Sequence, residues 1–574
     1  MRLKLQKILF IGLILLFTHS YSQDYLWKTQ EINGKLNNHS VSSYLKNHSK
    51  TLALDFKGFK KQLQNAPLRG VSSKSSDIII NLPDDKGTLQ AFRILEAPVF
   101  SPSLAAKYSQ IKSYVGFSTD NSGAIVRMSV SPKGVQTMIS YKDRPTVFMQ
   151  PLNGEVKKYV VYNRFSKNSL PKDEFICSTA DELVNASEID KNNISQRDAD
   201  DQILRKFRLA LSVNGEYTAY HGGTVADALS AINATMTRVN AVFETDMAVT
   251  FELQDFPELI YTNALTDPYS GSLGSWNTEL QNTLTNTIGN AAYDIGHMFG
   301  GSGGGGNAGC IGCVCVDDTV STTDQNKGSG ITSPADGNPQ GDTFDIDYVA
   351  HEIGHQMGAL HTWSHSSAGG LANIEPGSGS TIMGYAGITG SDVQLHSDSY
   401  FSYFSIKEIT DNVTNVRTCW QANSPVTITN SPPNANAGDD VFIPQGTAYV
   451  LRGSATDADN ADTLMYCWEQ NDDGVVTVSS FGPTLSSGAM ARSLPPTTSS
   501  DRYIPKLSRV VAGQLTETNP TDGGGSDWET VSTVARDLNW ALTVRDREPT
   551  ATGLYGQSSF DLMKITVDAS AGPF

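Results

Sequence analysis

At 574 residues the chain is long enough for three or four domains. A formal net charge of -17 excludes nucleic acid and anionic membrane surfaces as partners, because both call for a basic patch that releases counterions. Six cysteines are too few for a disulfide scaffold at this length, although an exported chain can still hold individual bridges.

Taken in chain order, Met1 to Lys7 is basic, Ile8 to Phe17 is apolar, and Ser20-Tyr21-Ser22 offers small residues for cleavage, which predicts a secretory signal peptide over 1–22 and a secreted, extracellular product. No other segment approaches the roughly 20 apolar residues a membrane span needs, so no membrane insertion is expected. Residues 23–178 carry alternating segments such as Asp77 to Leu82, Ala124 to Val130 and Lys158 to Tyr162, which predict a β-rich unit. Cys177 stands at its end, and 179–202 is an acidic, polar stretch with the composition of a flexible linker open to proteolysis.

From 203 to 423 the pattern changes. Phe207 to Val213 reads as a strand, and Val225, Leu229, Ile232, Met236, Val239 and Phe243 recur at helical spacing, predicting a long amphipathic helix. Ala248 to Leu253 reads as the next strand, so helices are expected to back a mostly parallel sheet. Ser405 to Val416 is the last predicted helix, ahead of Cys419. Residues 424–436, rich in Pro, Ser and Asn, predict a second linker. Beyond it, 437–574 shows short strands between turn residues, the pattern of an all-β sandwich. Asp457, Asp459 and Asp462 there are either oxygen ligands for Ca2+ or a solvated turn. Leu464 to Trp468 reads as an inward strand, making Cys467 a buried core thiol. The strand-like Met563 to Val567 runs close to the last residue, an ending compatible with further modules in the full product.

The chemistry concentrates in His351-Glu352-Ile353-Gly354-His355-Gln356-Met357-Gly358-Ala359-Leu360-His361. Phe344 to Ala350 predicts an incoming helix, with Asp345 and Asp347 near the end where the helix dipole favours negative charge. His351 and His355, four apart, share one helical face, one turn from each other. Glu352 is one step round, so its carboxylate faces the metal position without ligating and suits a general base and acid. A continued helix would carry His361 away from that point. Gly358 permits the left-handed turn that ends the helix and returns His361 as third ligand. Three protein ligands leave one position open, the signature of a catalytic Zn2+ site.

Downstream, Gly377 to Tyr385 places Met383 in a tight turn. The long zinc motif followed by this methionine resembles the metzincin zinc endopeptidases. The resemblance implies an α/β zincin-like catalytic domain, with Met383 as an apolar floor beneath the metal. It also implies either a zinc- or oxyanion-directed role for Tyr385 or plain packing. Within the clan, Tyr293 to Gly300, the glycine run after it and Ala308 to Val316 are similar to the secreted bacterial reprolysin-like family. There the last stretch is the sheet's edge strand, to which substrate adds antiparallel. His297 is then a structural histidine, and Cys315 pairs with Cys419. A Cys310–Cys313 bridge would be strained in an extended strand, and a second zinc cluster built on these cysteines lacks partners. Thr362-Trp363 departs from the aspartate that reprolysins carry after the third histidine and is similar to pappalysin-like metzincins. The C-terminal segments Asn436 to Asp440 and Tyr449 to Asp459 resemble polycystic-kidney-disease-like and cadherin-like Ig-like sandwiches.

These features predict a secreted zinc-dependent endopeptidase with protein or peptide substrates, made as a precursor whose propeptide is 23–178. Side-chain preference is expected to be set near Gly387 to Ser391. Cys177 is either a thiolate cap on the zinc of the latent form or an ordinary cysteine. The alternatives are a pappalysin-like peptidase, and a non-enzymatic adhesin on a metalloprotease scaffold, against which the intact Glu352 argues.

Overall fold

The computed structural model describes residues 26–29, 49–70, 76–120, 122–152, 154–164, 175–179, 199–319, 325–367, 372–459, 463–547, 553 and 556–572. The predicted signal peptide, Asp462 and most of the stretch 179–202 lie outside them. Among the described residues no helix is long and apolar enough to cross a membrane.

The N-terminal part is one nine-stranded sheet in which every neighbouring pair is antiparallel. Its alternation divides two environments. In the strand Ile125–Ser131, Val126, Met128 and Val130 enter the sheet's own core with Phe59, Phe92 and Tyr159. Arg127 and Ser129 point to the opposite face. That face is covered by the helix Val225–Met247, whose first turn is capped by the Thr224 side chain accepting from the Asp227 amide.

The helix was expected to be amphipathic, yet it is buried nearly all round. It lies between two sheets, and its polar residues find partners in the first one. Asn233 donates to Ser129 Oγ at 2.8 Å and accepts from Ser113 Oγ at 2.9 Å. Arg238 donates to the Thr137 carbonyl at 3.2 Å and to Asp345 at 2.7 Å. Glu244 receives Arg127 and Arg69, the latter at 2.9 Å from Nη2. Asp345, read as a helix-dipole charge, is therefore a buried ion-pair partner.

The second sheet is mostly parallel, as expected. Ile203–Val213 pairs in parallel with Val249–Leu253 and Ile295–Phe299, and Ile295–Phe299 with Gly330–Ser333. Gly305–Asn307 adds antiparallel to Gly330–Ser333. The N-terminal part engages both edges of this sheet. At one edge Phe100 bridges Leu253, with hydrogen bonds of 2.8 Å in each direction between Val99–Ser101 and Leu253. At the other, Ile176–Cys177 pairs in parallel with Gly305–Gly306.

The edge strand expected over Ala308 to Val316 is a correction. The strand ends at Asn307, because Gly309 and Gly312 adopt positive φ and turn the chain. In that turn Cys310 and Cys313 form a disulfide, so the strain expected for an extended segment does not arise. Cys315 pairs with Cys419 as the resemblance implied. With four cysteines in bridges, a second zinc cluster is ruled out there.

The C-terminal part has a four-stranded sheet and two short two-stranded ones around Trp468, Trp540 and Leu542. Cys467 is buried and donates to the Leu494 carbonyl. Asp457 accepts the Asp459 amide at 2.8 Å as a turn cap and Asp459 accepts the distant Ser431 amide at 2.6 Å, which leaves the calcium expectation without support. Within the stretch expected as a linker, Val426–Thr427 pairs with Ile203–Leu204 and Ile428 is fully buried. The C-terminal part is also fixed to the second sheet's unit by a buried ion pair, Arg545 to Asp246 at 2.7 Å.

Candidate metal centre

The motif begins where a π-helical stretch, Thr343–Val349, passes into the α-helix Ala350–Met357. Gly358 ends it at φ 128°, its amide donating back to the Gly354 and His355 carbonyls at 3.0 and 2.9 Å. The turn brings His361 back. Its Nε2 lies 3.0 Å from Nε2 of His355, which lies 3.1 Å from Nε2 of His351. A tetrahedral zinc with Zn–N distances near 2.0–2.1 Å separates its nitrogens by about 3.3 Å, so the three rings fit one ion.

The rings are fixed from behind. Nδ1 of His351 meets the Ile382 carbonyl at 2.8 Å, and Nδ1 of His355 meets the Ala359 carbonyl at 2.6 Å, which turns both Nε2 atoms to the common point. Burial, and next the adjacent histidines, hold His355 and His361 well below the ordinary histidine range. Neutral imidazole is the form that ligates.

Glu352 is fully buried, and burial pushes it up to about 8. Its Oε2 accepts from Thr179 Oγ1 at 3.1 Å, while Oε1 has no hydrogen-bond partner among the described residues. Met383 is fully buried, and its carbonyl accepts the Thr362 amide at 3.1 Å. The Tyr385 hydroxyl stands 2.9 Å from His361 Nε2 and 3.3 Å from the Cys177 carbonyl, to which it donates.

The structure brings Cys177 to the same point. Its Sγ is 3.8 Å from His355 Nε2, and the ligand atoms of Cys177, His351, His355 and His361 all lie within 4.8 Å of one another, the one such group among the described residues. Burial, and next Glu352, raise this thiol well above its ordinary range, a balance that a bound zinc would reverse. Zinc therefore fits the donor set, with three neutral imidazoles and a sulfur around one point.

Three contributors escaped the sequence reading. Phe175, Cys177 and Thr179 alternate along one extended segment, so period two would have placed all three on the cleft side. Phe175 stacks on Tyr348 and Thr179 reaches Glu352. The third is Glu375, an acid in a glycine- and serine-rich loop. It accepts from Thr362 Oγ1 and the Ser380 amide, both at 2.7 Å, from the Thr381 amide at 3.1 Å, and from the Thr381 and Ser380 hydroxyls. Thr362 thus reaches a carboxylate supplied from elsewhere in the chain, which accounts for the absence of an acid at its own position. His297 has the structural place expected, between Gln356 Oε1 at 2.7 Å and Thr332 Oγ1 at 2.8 Å.

With this geometry stands a family match. Residues 204–425 match the model of metallo-peptidase family M12B, reprolysin-like. The matched segment holds the central strands of the second sheet, the histidine motif, the methionine turn and Cys419. That segment is similar to reprolysin-like metallopeptidases, a family that uses zinc and acts on proteins or peptides. No curated protein matches the chain.

Proposed function

We propose that the chain is a secreted zinc endopeptidase held latent by its own N-terminal unit, residues 23–178, with Cys177 as the cap. The observation that carries this reading is the strand Ile176–Cys177 lying in the cleft with its sulfur at the three-histidine point. Zinc held by His351, His355 and His361 would supply Lewis-acid polarisation of a scissile carbonyl and acidify water beside it. Glu352, through its free Oε1, takes the proton from the attacking water and passes it to the leaving amine nitrogen. Tyr385, whose hydroxyl already donates to a carbonyl in this cleft, donates to the oxygen on which negative charge develops. Gly305–Asn307 aligns the substrate backbone by strand addition.

Latency follows from direction as well as from the thiol. The Ile176–Cys177 segment runs parallel to the edge strand, opposite to the antiparallel course expected for substrate, so its peptide bonds meet Glu352 and the metal in reverse. Thr179 meanwhile occupies Oε2 of Glu352. Residues 175–179 thus engage the Tyr385 hydroxyl, Oε2 of Glu352 and the three-histidine point.

The test is casein cleavage by the full chain and by Cys177→Ser, each with zinc, with a chelator, and in the Glu352→Ala background. The expected result is higher activity in Cys177→Ser than in the parent, abolished by chelator and by Glu352→Ala. Unchanged activity of Cys177→Ser would remove the cap from the reading; activity that survives Glu352→Ala would remove the base.

A further inference from the structure

We propose that the pocket beside His351 takes an aromatic side chain from the residue on the C-terminal side of the scissile bond. The proposal rests on the peptidase reading and adds a substrate class to it: polypeptides with Phe, Tyr or Trp at that position.

The pocket is lined by Tyr348, His351, Tyr385, Gly387 and Ile388, with Asp347 and His396 giving its polar side. Phe175 occupies it. The Phe175 and Tyr348 rings stack with centroids 3.8 Å apart and planes 3° from parallel, Phe175 is only 4% exposed, and about 50 Å³ remains free around it. Tyr348 stands three residues before His351, about one turn up the helix, so this wall is continuous with the metal point.

Position along the substrate follows from strand geometry. Phe175 and Cys177 are two apart in an extended segment, about 6.5–7 Å, so the pocket opens one side-chain repeat from the metal point. The segment runs parallel to Gly305–Gly306, and substrate is expected antiparallel. Residues preceding Cys177 therefore lie where residues following the scissile bond would lie. A flat slot with an aromatic wall favours a ring over an aliphatic chain of equal area by roughly 2- to 12-fold, the gain of a stacked pair.

Two measurements on the full chain test this. In the first, Cys177→Ser with zinc cleaves a mixed peptide library, and the cleaved bonds are sequenced. Aromatic residues should be enriched at least about threefold on the C-terminal side, and Tyr348→Ala should lower the Phe-to-Leu ratio of kcat/KM there by a similar factor while Tyr348→Phe restores it. In the second, metal-free protein with Cys177 intact is titrated with a disulfide thiol reagent. Phe175→Ala should speed modification of Cys177 by at least roughly tenfold, whereas Phe175→Tyr should stay near the parent rate. Aromatic residues at background frequency among cleaved bonds, or a thiol rate indifferent to Phe175→Ala, would overturn the proposal. A Phe175-dependent thiol rate with no cleavage of any peptide would support the aromatic pocket and sink the peptidase reading instead.

Discussion

Glu375→Ala tests whether the methionine turn is held by one carboxylate. Two of its donors, the amides of Ser380 and Thr381, are backbone groups that cannot re-aim, and both are buried. The hydroxyls can turn elsewhere: Ser380 Oγ already has the Ser493 carbonyl at 3.1 Å. Two orphaned buried amides cost about 1–3 kcal/mol each, and a modest cavity adds to that, so the expected loss is about 3–5 kcal/mol. At about 2–4 °C per kcal/mol for a domain of this size, the transition of the 204–425 unit should fall by roughly 6–20 °C. The same change frees the segment that carries Thr362, so His361 should lose its position. Scanning calorimetry together with zinc retention against a chelator reads both effects. Glu375→Gln keeps one acceptor oxygen and should fall between the parent and Glu375→Ala. A loss below about 1 kcal/mol with unchanged zinc retention would refute the idea that Glu375 organises this turn.

The Cys315–Cys419 bridge closes a loop of 104 residues, and its removal as Cys315→Ser/Cys419→Ser should cost up to about 4.7 kcal/mol by loop entropy, read as a lowered denaturant midpoint. Burial alone would raise Glu244, but Arg127 and Arg69 hold it down at about 2. A depressed carboxylate contributes stability that is present above its unfolded value of about 4.5 and is lost as pH falls towards 2, so an acid-unfolding curve should bend in that window. Glu244→Gln should remove that bend and, by leaving the buried Arg127 and the half-buried Arg69 without their carboxylate, destabilise by about 3–5 kcal/mol at neutral pH. A curve that keeps the same bend in Glu244→Gln would assign it to other carboxylates.

What could be read in the sequence was whatever is local. The His351–His361 spacing dictates the helix, its end at Gly358 and the convergence of three nitrogens, because helical periodicity and one glycine settle all of it. Phe207 to Val213, Ala248 to Leu253 and the helix Val225–Met247 announce themselves by period, and their observed bounds lie within a few residues of expectation, whereas the short Gly305–Asn307 and Gly330–Ser333 carry too few residues to show one. What depends on long-range partners was opaque. Arg127, Asn233, Arg238 and Glu244 look like solvent-facing residues in one dimension and are buried partners in three, since burial of such groups becomes affordable only when another sheet supplies hydrogen bonds. Glu375 lies 13 residues from Thr362 with no periodic relation to it, so nothing in the chain's pattern connects them. Gly309 and Gly312 were legible as breakers, yet the family resemblance drew the reading towards an extended strand.

The N-terminal unit does more than place one cysteine. It adds backbone hydrogen bonds to both edges of the second sheet, at Leu253 and at Gly304–Gly306, and it neutralises Glu244 and Asp347 from outside through Arg69, Arg127 and Arg164. Its residues Phe100, Met138, Phe148 and Tyr162 share one apolar cluster with Phe207, Met236 and Ile353 of the metallopeptidase unit. Cutting the chain within 180–198 severs none of these contacts, whereas the sulfur at the metal point is held by the strand that they fix. The proposed latency is therefore expected to outlast the cut and to end when the N-terminal unit leaves. The two pieces should co-elute on gel filtration at neutral pH and separate where Glu244 protonates, since the ion pairs are the part of that interface acid can remove.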